Sequence, residues 1–280
     1  MARIDPIFLS HGAPAMALGR SAARAFLVDL GRRLPRPRAI LVASAHWESG
    51  VPTVGAALQP ATLHDLCAGA PGVCRLRYPA PGDPGLADRV AGLLRGAGLP
   101  VAVDPERGLD HGAWVPLHLM FPAADIPVVP LSVQPRLGPR HHLAVGRALA
   151  PLAGEGVLVL GSGGVTNNLH ACHGRAEDAP VPDWVDRFRD WLAARLAEGD
   201  PERLAAALDR APARRENHPT PEHLLPLFVA LGAAGGAVAA ERLHASVTHG
   251  VLAMDAYAFP AAAAPAPRTV ALEPLPETVP

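Results

Sequence analysis

Ile40-Leu41-Val42-Ala43-Ser44-Ala45 runs directly into His46-Trp47-Glu48, and Ile7-Phe8-Leu9-Ser10 runs in the same way into His11-Gly12. Runs this short, apolar at consecutive positions, read as strands buried on both faces. That is the signature of a parallel sheet covered by helices. In such sheets ligands bind in the crevice beyond the carboxyl ends of the strands. Both imidazoles therefore project toward one crevice, close enough to share a metal. A single histidine at a strand end is ordinarily a polar terminator. Two at equivalent ends are a candidate pair of ligands.

Working outward, further strands are expected at 101–104, 126–133 and 157–161, the last ending in Gly161-Ser162-Gly163-Gly164. Between them, apolar residues recur at three and four over 22–34, 85–96, 139–152 and 183–196, the helical period. The last of these carries Trp184, Phe188, Trp191 and Leu192 on one side. Strands alternating with helices predict an α/β sandwich with a central, largely parallel mixed sheet flanked by helices. No internal repeat or linker divides the chain. A single catalytic domain is expected over 1–260, followed by a Pro/Ala-rich extended tail over 261–280.

Composition narrows the function. The 280 residues are 49% hydrophobic and 18% charged, which is the profile of a folded globular protein. With a formal net charge of −1 and no basic stripe, nucleic acid is excluded as a partner. Every basic residue is arginine, a compositional trait without chemical meaning here. Cys67, Cys74 and Cys172 form no C-x-x-C pair, so neither a disulfide framework nor a thiolate zinc site is expected. The start, Met1 to Pro6, lacks the charged and apolar regions of a signal peptide. The apolar stretch 224–240 is short for a membrane span and is interrupted by Pro226, Gly232, Gly235 and Gly236, so it reads as a buried helix and its exit loop. A soluble cytoplasmic protein without membrane partners is expected; oligomeric state is not legible.

Three further stretches carry histidine. In Leu109-Asp110-His111-Gly112-Ala113-Trp114, Asp and Gly around the histidine indicate a tight turn that holds a partly exposed imidazole. Such a residue suits proton transfer near neutral pH. In Asn217-His218-Pro219-Thr220-Pro221-Glu222-His223, Thr220 is a good N-cap with Pro221 at the first helical position. Glu222 and His223 then lie in the first turn, and either could reach a metal. A carboxylate there is favoured by the helix dipole in any case, whereas a cationic histidine is opposed, so His223 as a neutral ligand is the more economical reading. In Asn167-Asn168-Leu169-His170-Ala171-Cys172-His173, neighbouring soft ligands do not converge on one ion from a loop, and a separate zinc site is not expected. The Gly161–Gly164 end lacks the spacing of a nucleotide fingerprint. His118, His141, His142 and His244 read as surface or packing residues.

Phe8-Leu9-Ser10-His11-Gly12-Ala13-Pro14, Ser44-Ala45-His46-Trp47-Glu48, Leu109-Asp110-His111-Gly112-Ala113-Trp114 and Pro219-Thr220-Pro221-Glu222-His223 occur in that order. Together they resemble the extradiol aromatic ring-opening dioxygenases of the DOPA dioxygenase type, related to the catalytic subunit of protocatechuate 4,5-dioxygenase. Thr62-Leu63-His64-Asp65, Arg77-Tyr78-Pro79-Ala80-Pro81-Gly82 and Asp125-Ile126-Pro127-Val128-Val129 extend the resemblance over about residues 6–260.

The resemblance implies a non-haem metal-dependent dioxygenase that cleaves a small aromatic diol with O2. It implies His11, His46 and His223 as metal ligands, with Glu222 as the alternative third ligand, and His111 as the acid/base. Fe(II) is implied for activity, and Zn(II) suits the same donors. The chain departs from the family pattern at Asn167, where relatives have a histidine before Asn-Leu. Asparagine there can hydrogen-bond substrate but cannot act as a base. His249, in Ser246-Val247-Thr248-His249-Gly250, matches no family histidine and is a second substrate-side candidate. A zinc-dependent hydrolase and a non-catalytic metal- or ligand-binding protein stand as alternatives on the same fold.

Overall fold

The computed structural model describes residues 3–66 and 72–260, so the expected tail over 261–280 and Cys67 lie outside the described residues. Ten strands occur in chain order: β1 (Ile7–Ser10), β2 (Ala39–Glu48), β3 (Thr53–Gly55), β4 (Ala102–Asp104), β5 (Val128–Val133), β6 (Val157–Gly163), β7 (Glu241–His244), β8 (Val247–Thr248), β9 (Leu252–Ala253) and β10 (Ala256–Ala258). Eight form one sheet in the order β4-β3-β5-β2-β6-β1-β10-β7, while β8 and β9 pair as a separate hairpin. The centre, β5-β2-β6-β1, is parallel throughout, and β3 and β10 join it antiparallel on either side.

The two founding runs occupy the middle of this sheet. Their alternate residues divide between two apolar layers, as a strand period of two requires. Ile7, Leu9, Ile40 and Val42 face a layer that includes Leu27, Leu30, Ala113 and Leu117 of the helices Ala22–Arg33 and His111–Met120. Leu41 and Ala43 face the opposite layer, with residues of the helices Pro84–Gly96, Gly138–Leu149 and Leu225–Ala233. Every residue of β1, β5 and β6 is buried. Burial on both sides explains why these strands lack polar alternation.

Three expectations are corrected. The helical pattern over 139–152 is two helices, Gly138–Leu149 and Pro151–Gly154. Pro151 has no N–H to continue the ladder, and the Ala150 N–H closes the first helix on the Arg147 carbonyl at 3.3 Å. The helix Asp183–Ala197 buries Val185, Phe188, Leu192 and Leu196, and Trp191 packs against the cluster that holds the last three, so of the expected side Trp184 alone departs. Trp184 packs instead beside Val251 and Leu252 in a small cluster of its own. Cys74 is disulfide-bonded, against the expectation drawn from cysteine spacing, and Cys172 is free. The apolar stretch 224–240 holds the buried nine-residue helix Leu225–Ala233, and among the described residues no helix is long and apolar enough to cross a membrane.

Candidate active site

His11 follows β1 directly, and its backbone N–H donates to the Gly163 carbonyl at the neighbouring strand end (3.0 Å). Its side chain is only 2% exposed. The imidazole Nδ1 lies 3.0 Å from the Ser162 hydroxyl oxygen, and that hydroxyl donates to the Gly112 carbonyl. A hydroxyl whose hydrogen is committed can only accept from the ring, so Nδ1 carries the proton and Nε2 keeps its lone pair. Gly12, at φ +61°, then turns the chain away, a backbone region that glycine enters freely.

His46 lies near the end of β2, where the register with β5 shifts between Ala43 and Glu48. Its Nε2 stands 2.9 Å from Nε2 of His11. Its other nitrogen, Nδ1, faces a carboxylate oxygen of Asp65 at 3.7 Å. The strand end is locked to the helix His111–Met120 through Asp110. That carboxylate accepts the Ser44 hydroxyl (2.6 Å), Arg107 (2.7 Å) and, as N-cap, the Ala113 N–H.

His223 lies on a single 3-10 turn, Glu222–Leu224, that leads into the helix Leu225–Ala233. The glycine-rich end of β6 is its seat. Gly164 N–H donates to the His223 carbonyl at 2.9 Å, and a Cβ on Gly163 would lie 2.0 Å from that oxygen. Thr220 is not the cap expected for this turn: Pro221 occupies the N-cap position, and the Thr220 hydroxyl donates to Glu222 Oε1 at 2.8 Å. The same Oε1 lies 2.8 Å from His223 Nδ1, and since a carboxylate only accepts, it holds the Nδ1 proton. Glu222 thus backs the imidazole, an arrangement that orients histidine ligands generally. The Asn167 amide nitrogen lies 3.0 Å from His223 Nδ1.

His111 differs from its sequence reading. It is the first residue of a helix rather than a tight turn, and at 2% exposure it is buried rather than partly exposed. The cause is a bridge between Thr62 and Leu109 that lays the 61–65 segment along the helix start. Asp65 then takes both N–H groups of His111: Oδ1 accepts the backbone amide at 3.0 Å and Oδ2 the ring Nδ1 at 2.8 Å. This makes Nδ1 the donor and Nε2 the acceptor of the neutral ring, whose centroid lies 3.8 Å from that of His46 and 5.3 Å from that of His11. Asp65 was visible in the sequence only as part of a motif. Its partner is 46 residues away, so no local signal assigns it a role.

Electrostatics disfavours charge on His11 and His46. Burial first, then the neighbouring histidines, pushes His11 well below its ordinary pKa, and the same causes lower His46 to about 3. Burial works against ionisation of Asp65 and Glu222, yet hydrogen bonds from His111 and His223 prevail and lower each to about 2. With His11 Nε2 unprotonated, the His46 Nε2–H donates to it across 2.9 Å when no metal is bound, and the His46 proton can move to Nδ1, toward Asp65, to free both Nε2 atoms for a metal. One ligand atom from each of His11, His46 and His223 falls within 4.8 Å of the others, a set able to hold a metal ion; Asp65, His46 and His111 form a second such set sharing His46. The donor chemistry therefore fits a divalent metal.

The histidines line a cleft of about 50 Å³ that also includes Asn167. Gly12, Ala13, Leu252 and Met254 separate it from a larger cavity of about 630 Å³. His249 lines that outer cavity, at the β8–β9 tip, and does not join the four-histidine cluster. His170, Cys172 and His173, on and beside the helix Leu169–Cys172, belong to no metal-capable cluster among the described residues.

The family model described as the catalytic LigB subunit of aromatic ring-opening dioxygenase matches residues 8–260. The 4,5-DOPA dioxygenase extradiol of Portulaca grandiflora is 44% identical over 265 residues, covering 91% of this chain and 95% of that protein. The protein of the same name from Escherichia coli K12 is 40% identical over 238 residues, covering 84% and 86%. A solved structure of an uncharacterized Escherichia coli K12 protein superimposes with a TM-score of 0.76 at 36% identity, covering 91% of this chain and 99% of that one.

Proposed function

This chain belongs to the LigB family of aromatic ring-opening dioxygenases and is an extradiol ring-cleavage enzyme, and on that premise we propose that it opens a catechol carrying an amino-acid side chain, with Fe(II) held by His11, His46 and His223. The observation that carries the ligand assignment is the approach of the His11 and His46 Nε2 atoms to 2.9 Å, with His223 as third donor. The substrate class follows from the names of the relatives, which act on DOPA. A metal held by these residues would supply Lewis acidity toward the diol and dioxygen.

The protein's own groups do the rest. Ser162 and Glu222 each fix one ring so that Nε2 faces the cleft. His111, whose Nδ1–H is held by the Asp65 carboxylate and whose Nε2 is made more basic by it, accepts a proton at Nε2 from a catechol hydroxyl and returns it as the ring opens. Asn167 offers hydrogen bonds to the bound diol without taking a proton. Leu252 and Met254 add apolar surface to the cleft wall beside the reacting face. Both oxygen atoms of O2 end in the product as the bond beside the diol breaks, giving a ring-opened semialdehyde.

The test is oxygen uptake by protein loaded anaerobically with Fe(II), then offered DOPA and protocatechuate. The expected result is uptake in step with a new visible absorbance for DOPA, and none for the zinc-loaded protein. Absence of uptake with iron demonstrably bound would overturn the assignment.

A further inference from the structure

We propose that the cavity beside the histidine cleft is a zwitterion subsite, in which Arg20 takes the carboxylate of the substrate's side chain while Glu177, Asp178 and Nε2 of His249 take its ammonium. The inference rests on the catechol reading above and names what recognises the remainder of the molecule.

The cavity of about 630 Å³ has two walls of different origin. That volume is in the range of pockets that enclose a whole small ligand, whereas the histidine cleft has room only for a reacting edge. One wall is the stretch 12–23, which leaves His11, passes through the 3-10 turn Pro14–Ala17 and reaches the start of the helix Ala22–Arg33, carrying Arg20. The other is formed by Glu177 and Asp178 together with the β8–β9 hairpin.

The second wall is built rather than loose. Arg175 Nε donates to the His249 carbonyl at 2.9 Å, and its Nη2 donates to the Pro180 carbonyl at 2.7 Å. The His249 N–H donates to the Glu177 carbonyl at 2.8 Å, and its Nδ1 lies 3.0 Å from the Arg175 carbonyl. These bonds hold His249 at φ +52°, a left-handed conformation that non-glycine residues adopt rarely and that tends to mark functional positions. Because a carbonyl only accepts, Nδ1 of His249 carries the proton. In its neutral form the ring then offers a lone pair at Nε2, which has no partner among the described residues.

The charges are complementary to one kind of ligand. Arg20, Glu177 and Asp178 are exposed cavity residues, and none takes part in an ion pair among the described residues. A substituent bearing only an anion meets two carboxylates, and one bearing only a cation meets the arginine. A substituent bearing both satisfies both walls. Leu252 and Met254 line both the cavity and the histidine cleft, and Met16 lines the cavity beside them, apolar surface suited to the face of an aromatic ring.

Four catechols separate the contributions: DOPA, dopamine, which lacks the carboxylate, 3-(3,4-dihydroxyphenyl)propionate, which lacks the amine, and 4-methylcatechol, which lacks both. In the Fe(II)-loaded enzyme, Arg20→Gln is expected to lower the ratio of kcat/KM for DOPA over dopamine about tenfold. The pair Glu177→Gln with Asp178→Asn is expected to lower the ratio for DOPA over the propionate by about the same factor. Anaerobic calorimetric titration of the same proteins should reproduce both ratios in Kd, without turnover. If the wild type cleaves 4-methylcatechol but not DOPA, the substrate reading has failed and the subsite with it. If it cleaves DOPA and both ratios stay within about twofold in the variants, the subsite alone has failed.

Discussion

The inner cleft and the outer cavity share four wall residues and almost nothing else. The cleft is lined largely by residues from strand ends and helix starts, and its His11 and His111 are buried with side chains hydrogen-bonded to Ser162 and Asp65. The cavity is lined by a chain segment, a loop and a two-stranded hairpin, with exposed charges of both signs. This division separates reaction from recognition. Groups that must keep one protonation state and one orientation sit where packing and hydrogen bonds leave no alternative. Groups that choose a substrate sit where the chain tolerates change.

The sharpest way to break the comparison is to remove a ligand. His11→Ala and His46→Ala should each abolish stoichiometric metal binding and with it ring cleavage, as read by elemental analysis of the purified variants. Full metal content in both would remove the cleft's claim to be a metal centre.

Acid should attack the rigid region rather than the cavity. His142 uses both ring nitrogens while neutral: Nδ1–H donates to the Gly138 carbonyl (2.7 Å) and Nε2 accepts the Gln134 N–H (3.0 Å). His218 donates from Nε2 to the Val165 carbonyl (2.8 Å), and its Nδ1 is buried without a partner among the described residues. Burial lowers both to about 4 from an ordinary 6.5. Between those values the unfolded chain binds more protons than the folded one. Stability from these groups is therefore complete above pH 6.5 and is lost as pH falls toward 4. Each shift corresponds to about 3 kcal/mol at the acid end. Urea midpoints across that interval should fall steeply, and His142→Gln should flatten the dependence.

Asp65→Asn comes next. An amide has one acceptor oxygen and cannot take both N–H groups of His111, so the ring loses its fixed tautomer. We expect kcat to fall about 10²-fold with KM little changed and the metal retained. Loss of metal in this variant would instead assign Asp65 to holding His46. Gly163→Ala sharpens the point with a smaller effect. The added methyl meets the His223 carbonyl and should cost about 1–3 kcal/mol in thermal denaturation, with weaker metal affinity. The charge changes in the outer cavity are expected to be mildest of all, altering selectivity while leaving the melting temperature in place.

Legibility in the sequence follows the same boundary. The runs ending at His11 and His46 revealed the sheet and its functional edge because burial on both faces leaves a purely local mark. The structure indeed has both strands in the parallel centre. His223 was legible through the proline-bounded turn, although Thr220 was given the wrong part in it. The burial of His111 was misread because it is imposed by the 61–65 segment, which the flanking Asp and Gly do not reveal. The glycines at the end of β6 were read in the sequence only as lacking a nucleotide fingerprint, whereas in the structure Gly163 permits the close approach of His223.

By itself the sequence determined the class of fold, the strand ends at which chemistry gathers and the imidazoles brought there, since apolar periodicity and turn residues act over a few positions. Tertiary structure alone decided which nitrogen of each ring is free. His11 depends on Ser162, 151 residues away, and His111 on Asp65, 46 residues away, while Glu222 is adjacent to His223 and becomes its support only through the turn. The physical reason is that a tautomer is set by the acceptor a ring nitrogen meets, and that acceptor is brought within reach by strand register and helix packing rather than by neighbouring sequence.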